Sequence, residues 1–484
     1  MTSPELKQAA PLPKGDAQAS LDHPVPTPVS VTRPATAKRP PGPVVPAFTQ
    51  VLTALSPVRI AFDSLKYILE NARIYGGLYG IYSGDTATYV VSDPALVHEI
   101  LVERHSEFHK AQMLRTSVGA LLGNGLLTSE DGFWRRQRKL AQPAFHYGRI
   151  SSYAQTMVQS TRDLIHDWQD GQTRDIAHDM MTLTLDIVTR TLFGTTVKQQ
   201  AGYIGRLMYV VLEAANDRLN NYYPIWDKLF KHKQRQEHAA IRELTGIVDD
   251  IITEHRQHTE DNGDLLSMLM AARDDDGQPM SEQQLRDEVM TLFLAGHETT
   301  ANALVWALYF VSQNTTVEDR LMREIAPLGN RSPALQDLAQ MPYGERVIKE
   351  AMRLYPPAAG ATREPLHDIQ LGGYLLPKGS NIAISSYAIH HNPTLFPDPE
   401  RFDPERFSPE NEPDIPKYAY LPFGGGPRIC IGNTFAMMEA RLALATIVQG
   451  YTLTLAPTQS VRAEQLFTIR PKGGLKMIVR RRSG

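Results

Sequence analysis

The sequence has one cysteine in 484 residues, so no disulfide can form within the chain. It also has little net charge, because 50 Lys and Arg residues oppose 53 Asp and Glu residues for a formal charge of −3. Without an excess of positive charge there is no overall field to hold phosphates, and binding to nucleic acid is not expected.

Long uninterrupted apolar runs are missing too. The longest run, residues 289–311, is broken in its middle by His297, Glu298, Thr299, Thr300 and Asn302. A bilayer-spanning helix needs about 20 mainly apolar residues, so we expect no transmembrane anchor. The N-terminus has no apolar core of a signal peptide, and we expect a soluble, cytoplasmic protein of bacterial type that is a monomer.

Proline is concentrated at the N-terminus, where the first 46 residues hold 11 of the 34 prolines and almost no apolar periodicity. This composition predicts a flexible, partly extended leader over 1–46. The rest is 47–484, which we interpret as a single catalytic domain. With 42% hydrophobic and 21% charged residues overall, the chain can bury a sizeable core.

Helical spacing of apolar residues dominates, for example in 154–168, 180–193 and 241–255. Strand patterns are fewer and include 86–91, and a hairpin is expected from 374–376 and 381–385 around Pro377-Lys378-Gly379. The fold class is therefore mainly α with small β-sheets. No Gly-rich loop lies between a strand and a helix, so the chain is not expected to bind a flavin or nicotinamide itself.

The single cysteine, Cys430, lies in the segment Phe-Gly-Gly-Gly-Pro-Arg-Ile-Cys-Ile-Gly, residues 423–432, just before a helical pattern. Three glycines and a proline allow a tight turn that approaches a flat ligand closely. The position before a helix favours a thiolate over a thiol of ordinary pKa about 8.5. A lone cysteine is more often inert and buried, but this segment indicates a metal ligand.

This segment resembles the haem-binding signature of the cytochrome P450 family, Phe-x-x-Gly-x-Arg-x-Cys-x-Gly. Every defined position matches: Phe423, Gly426, Arg428, Cys430 and Gly432. The resemblance implies a cytochrome P450 fold that holds haem b (heme b, iron protoporphyrin IX) between a long central helix and the cysteine loop. It implies that Cys430 is the axial iron ligand, which favours cleavage of dioxygen. Phe423 would pack beside the sulfur and Arg428 would bind a propionate.

Polar residues interrupt the apolar helix at Ala295-Gly-His-Glu298-Thr299. Taken alone, Thr299 has a structural explanation, since its hydroxyl can bond back to the carbonyl of Ala295. The segment also resembles the family's Ala/Gly-Gly-x-Asp/Glu-Thr motif over the haem. That resemblance implies that Thr299 holds dioxygen and its waters and that Glu298 supplies protons. A zinc hydrolase is a weak alternative, because Ala301 replaces the second histidine of His-Glu-x-x-His.

Charged residues far from Cys430 in the sequence also match motifs of the family. Glu350 and Arg353 share a helix face, and by resemblance they form a structural triad with Arg406. The resemblance also implies that Trp134 and Arg138 contact a propionate and that Arg363 is another propionate partner.

A basic cluster lies near Trp134 and consists of Arg135, Arg136, Arg138 and Lys139. Such a cluster is more often a solvated helix face than a docking site, but in the family this helix faces acidic electron donors. Only 54 residues follow Cys430, so we expect electrons from a separate ferredoxin or flavodoxin with an NAD(P)H-dependent reductase.

The regions that wall the family's pocket are apolar here: Met113, Leu114, Leu121, Leu122, Leu466 and Phe467, with small residues over 357–361. They imply an apolar small-molecule substrate, a fatty acid or terpenoid, that is hydroxylated or epoxidised with dioxygen. Two alternatives stay open: a haem-thiolate peroxygenase or isomerase, and a non-catalytic haem binder. The Glu298-Thr299 pair favours the monooxygenase.

Overall fold

The computed structural model describes residues 38–45, 64–84, 86–194, 201–220, 231–257 and 264–482. Helices make up most of these residues, which confirms the mainly helical prediction. The helices are α1 (Ser64–Tyr75), α2 (Pro94–His98), α3 (Gln112–Leu122), α4 (Asp131–Ala141), α5 (Tyr147–Ile150), α6 (Ala154–His166), α7 (Ile176–Leu192), α8 (Ala201–Asn220), α9 (Lys231–Gln257), α10 (Leu265–Ala271), α11 (Glu282–Gln313), α12 (Thr315–Ile325), α13 (Pro342–Leu354), α14 (Ser386–His390) and α15 (Asn433–Gly450).

Twelve short strands are found in the described part of the chain. They are β1 (Leu78–Ser83), β2 (Thr86–Val91), β3 (Phe108–His109), β4 (Thr173–Asp175), β5 (Gly360–Pro365), β6 (Ile369–Leu371), β7 (Tyr374–Leu376), β8 (Asn381–Ser385), β9 (Tyr451–Leu455), β10 (Ala463–Gln465), β11 (Ile469–Pro471) and β12 (Lys476–Arg481). The largest sheet has the order β1-β2-β8-β5-β3, and β4-β12-β9 form a second sheet.

Helix α11 is the central element of the fold. A capping box starts it, because Gln284 N donates to Ser281 Oγ (3.2 Å) and Ser281 N donates to Gln284 Oε1 (2.8 Å). Such a cap stabilises a helix by about 1 kcal/mol. The helix then runs for 32 residues, most of them buried, against α7, α13 and α15. Its broken apolar run is therefore a core helix, and no helix in the described residues is long and apolar enough to cross a membrane.

The expected hairpin around Pro377-Lys378-Gly379 is wrong, although both of its strands exist. β7 pairs with β6, and β8 pairs with β2 and β5. Gly372 and Gly373 have φ of 54° and 78° and form the two-residue turn between β6 and β7, which is the conformation that a tight hairpin requires. The turn at 377–379 instead carries the chain from the small hairpin to the large sheet.

Residues 38–45 fall within the expected leader, but they lie along the edge of β1. Gly80 N donates to Pro41 O (2.9 Å), Tyr82 N to Pro43 O (3.0 Å) and Val45 N to Tyr82 O (2.7 Å). A Cβ on Gly42 would lie 1.8 Å from Gly80 O, so this approach requires glycine. The end of the expected leader, residues 38–45, is therefore bound to the sheet, and the leader before residue 38 lies outside the described residues.

Candidate haem site

The cysteine loop is shaped by backbone contacts. Cys430 N donates to Phe423 O (3.0 Å), which folds the segment back on itself before α15 begins. Gly426 has φ of 67°, and a Cβ there would lie 1.9 Å from Leu101 O. A larger residue would meet both a strained conformation and a backbone clash, so the glycine of the signature is a steric requirement.

The ionisation of Cys430 depends on opposing effects. Burial raises the pKa of the Cys430 thiol, while the Gly432 N–H and the charge of Arg138 act in the opposite direction with smaller effects. The Gly432 N–H at the start of α15 therefore favours the thiolate as expected, but desolvation has the larger effect. A thiol in this place is deprotonated when a metal ion binds it.

Two places in the interior present an uncovered surface. Cys430 is exposed, although surrounding protein desolvates its thiol. In α11, Ala295 is exposed and Thr299 is half-buried, while their neighbours Leu294 and Glu298 are buried. Ala295 and Thr299 lie four apart and share one helix face, which we call the α11 stripe. A flat cofactor whose metal is bound by Cys430 would cover the thiol and the α11 stripe.

Several of the expected haem-binding residues meet beside the cysteine loop. The Arg428 guanidinium lies 4.4 Å from the centre of the Trp134 ring and forms an ion pair with Glu130. Arg138 Nη1 donates to Ile429 O (2.8 Å), next to Cys430. Their contacts with propionates stay a prediction.

The charges of this group fit an anionic cofactor. Burial and the charge of Arg428 lower the pKa of Arg363 to about 10. Lys110, which the sequence analysis missed, donates from Nζ to Leu126 O and Ser129 O (both 2.8 Å), and burial lowers its pKa to about 7. Lys110, Arg138, Arg363 and Arg428, here called the cationic cluster, outnumber the carboxylates that act on them, Glu130 and Glu288. The two propionates of haem would balance such an excess.

On α11, the back bond anticipated for Thr299 is present, with Oγ1 donating to Ala295 O (2.8 Å). Glu298 is buried, and its Oε1 accepts a hydrogen bond from Thr468 Oγ1 (2.7 Å). Thr468 Oγ1 in turn accepts from Asn302 Nδ2 (3.0 Å). Burial raises the pKa of Glu298, and the Thr468 bond opposes this effect. Thr468 was missed because it lies 170 residues away in the chain.

The expected structural triad is present. Arg353 donates from Nε to Glu350 Oε2 (2.7 Å) and from Nη2 to Glu350 Oε1 (2.8 Å), and Arg406 Nε donates to Glu350 Oε1 (3.3 Å). Glu350 and Arg353 are fully buried. Arg353 also donates to His390 O (2.7 Å), so the triad links α13 to the chain that leads to the cysteine loop.

Comparisons with known proteins agree with this geometry. Cyclooctatin synthase from Streptomyces melanosporofaciens is 36% identical over 414 residues, covering 85% of this chain and 90% of that protein. Pentalenene oxygenase from Streptomyces avermitilis is 32% identical over 412 residues, covering 83% and 90%. Cyclooctat-9-en-7-ol 5-monooxygenase from Streptomyces melanosporofaciens is 35% identical over 397 residues, covering 80% and 85%.

The fold matches a solved structure as well. The crystal structure of the haem domain of cytochrome P450DA superposes with a TM-score of 0.81 at 27% identity, covering 92% of this chain and 98% of that one. The family model named Cytochrome P450 matches residues 40–478. The chain therefore belongs to the cytochrome P450 family of haem-dependent monooxygenases, and its cofactor is haem b.

Proposed function

We propose that this enzyme inserts one atom of dioxygen into a cyclic terpenoid olefin or alcohol, by hydroxylation or epoxidation. The observation that carries the monooxygenase reaction is the acid and alcohol on adjacent residues of α11, with Thr299 on the uncovered α11 stripe and Glu298 buried beside it. A binder of haem alone has no use for a proton-holding carboxyl in its core, where it costs free energy.

The residues have separate roles in this proposal. Haem b, when bound, supplies the iron that activates dioxygen. Cys430 holds the cofactor, and the cationic cluster neutralises its propionates. Thr299 orients a proton donor or water through its hydroxyl, whose proton goes to Ala295 O and whose lone pairs remain able to accept. Glu298 keeps a proton in a dry environment, where burial raises its pKa.

The substrate class rests on the pocket residues and the relatives' names. Pentalenene and cyclooctat-9-en-7-ol are by name olefinic compounds, and Leu114 and Phe467 are partly buried apolar residues. Two of the expected wall residues belong to the main core instead, since Leu121 and Leu122 are buried in it. Gly360 is also explained by structure, because a Cβ there would lie 1.8 Å from Ile384 O of the neighbouring strand.

As a cytochrome P450 the enzyme needs electrons from a redox partner, and we propose a ferredoxin or flavodoxin with its NAD(P)H-dependent reductase. The basic cluster on α4 gives this docking little support. Arg136 Nε donates to Asp274 (2.6 Å) and Lys139 Nζ donates to Asp275 (2.5 Å), so both cations are paired within the chain. Arg138 Nη1 donates to Ile429 O, and Arg135 is exposed.

The test supplies reduced donor and oxygen, and separately peroxide alone, with a panel of cyclic terpenes and fatty acids. We expect products carrying one added oxygen from terpenes with donor and oxygen. Product from peroxide alone at the same rate would instead indicate a peroxygenase. A protein whose reduced, CO-treated spectrum shows a thiolate-ligated haem but which oxidises nothing would contradict the proposed reaction.

A further inference from the structure

The turn between β10 and β11 is tied to the acid of α11. Leu466 N donates to Thr468 O (3.0 Å), which closes the turn, and Ile469 N donates to Pro357 O (2.9 Å). Trp306 Nε1 donates to Ile469 O (3.2 Å). The segment that carries Leu466 and Phe467 is therefore fixed to α11 on one side and to residues before β5 on the other.

Within this contact, three buried side chains form a chain of hydrogen bonds with a defined direction. Asn302 Nδ2 can only donate, so Thr468 Oγ1 accepts its hydrogen bond (3.0 Å). The single hydroxyl proton of Thr468 then goes to Glu298 Oε1 (2.7 Å). Asn302, Thr468 and Glu298 are each at most 5% exposed, so bulk water does not compete for these bonds.

This bond turns the carboxyl of Glu298 away from the α11 stripe. Successive residues of a helix are rotated by about 100°, so Glu298 and Thr299 point in different directions. The Thr299 hydroxyl is bonded to Ala295 O, and the Glu298 carboxyl is bonded to Thr468. The resting place of the carboxyl is thus set by a residue of the pocket-side turn and not by Thr299.

We propose that Thr468 is a positioning residue for Glu298: its hydroxyl holds the carboxyl against the β10–β11 turn and so ties proton delivery to the segment that carries Leu466 and Phe467. The inference rests on the proposed role of Glu298 as proton source. The same bond stabilises the ionised carboxyl, because a donor lowers the pKa of the group that accepts from it. Arg470 on β11 acts on Glu298 in the same direction and is itself bonded to Glu464 Oε1 (3.1 Å).

The test compares Thr468→Val, which keeps the shape and removes the hydroxyl, with Thr468→Ser, which keeps the hydroxyl. Thr468→Ala replaces the valine variant if valine disturbs the turn. Thr191→Val is the matched control, since Thr191 is equally buried and its hydroxyl bonds only to Ile187 O of its own helix (2.6 Å). All are studied as haem-loaded enzymes whose thiolate spectrum equals that of the parent.

The first measurement is the infrared carbonyl band of protonated Glu298, assigned by its loss in Glu298→Gln and followed over pH. In Thr468→Val we expect the band to move to higher frequency and its titration midpoint to move up. In Thr468→Ser and Thr191→Val both should stay at the parent values. An unchanged band and midpoint in Thr468→Val, or an equal change in Thr191→Val, would overturn the positioning role.

The second measurement is hydrogen peroxide released per reductant consumed. Losing the positioning bond should lower the ratio of product to hydrogen peroxide about fivefold, the rate equivalent of one hydrogen bond of about 1 kcal/mol. If Thr468→Val shifts the infrared band but Glu298→Gln leaves the yield unchanged, the positioning stands and the proton role of Glu298 fails. If Glu298→Gln lowers the yield and Thr468→Val changes neither the band nor the yield, the positioning fails alone.

Discussion

The cationic cluster and the buried acids of α11 differ in how the protein stabilises their charged and neutral forms. In the cluster, Arg428 is held in place by direct partners, the Glu130 carboxylate and the Trp134 ring. On α11, burial raises the pKa of Glu298 and of Glu288, so these carboxyls hold protons readily. The first arrangement suits permanent binding of an anionic cofactor, and the second suits storing and giving up protons.

The largest effect is expected from Cys430→Ser, which removes the metal ligand beside the cationic cluster. The reduced, CO-treated enzyme should lose the strongly red-shifted Soret band of thiolate ligation, and oxidation should fall to background. Haem itself can still be retained, because the cationic cluster is unchanged. Difference spectroscopy and haem content measure the two separately. A variant that keeps both the spectrum and the activity would disprove the role of Cys430.

The next effect concerns the support behind the cysteine loop. Glu350→Gln leaves the buried Arg353 and the half-buried Arg406 without their carboxylate, and removing one partner of a buried pair costs about 3–5 kcal/mol. We expect the free energy of unfolding in urea to fall by that amount and haem to be lost more easily. In Glu70→Gln, which breaks an exposed pair with Lys66, almost no change is expected. Equal stability of the two variants would contradict the structural role of the triad.

The buried acid Glu288 of α11 predicts a pH dependence of stability. Burial raises the pKa of Glu288 to about 7, with Leu126 N–H and Lys110 opposing. The folded pKa lies above the unfolded value of about 4.3, so the folded state binds more protons between these two pH values. The contribution of protonated Glu288 to the free energy of unfolding is therefore fully present below about pH 4 and is lost as pH rises through 7.

Glu288→Gln should therefore gain stability over the parent as pH rises from about 4 to 7, by about 3 kcal/mol at most. Urea unfolding followed by helix circular dichroism at several pH values measures this difference. Glu282→Gln, on an exposed side chain of the same helix, serves as the control and should follow the parent. A constant difference between Glu288→Gln and the parent across this range would show that Glu288 is ionised in the fold.

The sequence predicts the residues of the cysteine loop and the triad better than it predicts Lys110 and Thr468, because the partners of Lys110 and Thr468 lie far away along the chain. The cysteine loop and the triad helix are local patterns, so Cys430, Arg428 and Glu350 could be named from their neighbours. Lys110 bonds to carbonyls 16 and 19 residues away, and Thr468 meets Glu298 across 170 residues. Neither has a local pattern. The hairpin at 374–385 failed because two turn signals compete there, and the Gly-Gly pair forms the tight turn.

The smallest effect in this series, and the sharpest test of the comparison, is Thr299→Ala. Reductant consumption should continue, but much of it should be diverted to hydrogen peroxide, because the hydroxyl on the α11 stripe no longer directs protons. We expect the ratio of product to hydrogen peroxide to fall about tenfold, which corresponds to ~1.4 kcal/mol. Thr299→Ser keeps the hydroxyl and should restore most of the yield. If alanine and serine give the parent yield alike, the hydroxyl only satisfies Ala295 O, and the proton-handling role assigned to this face of α11 is wrong.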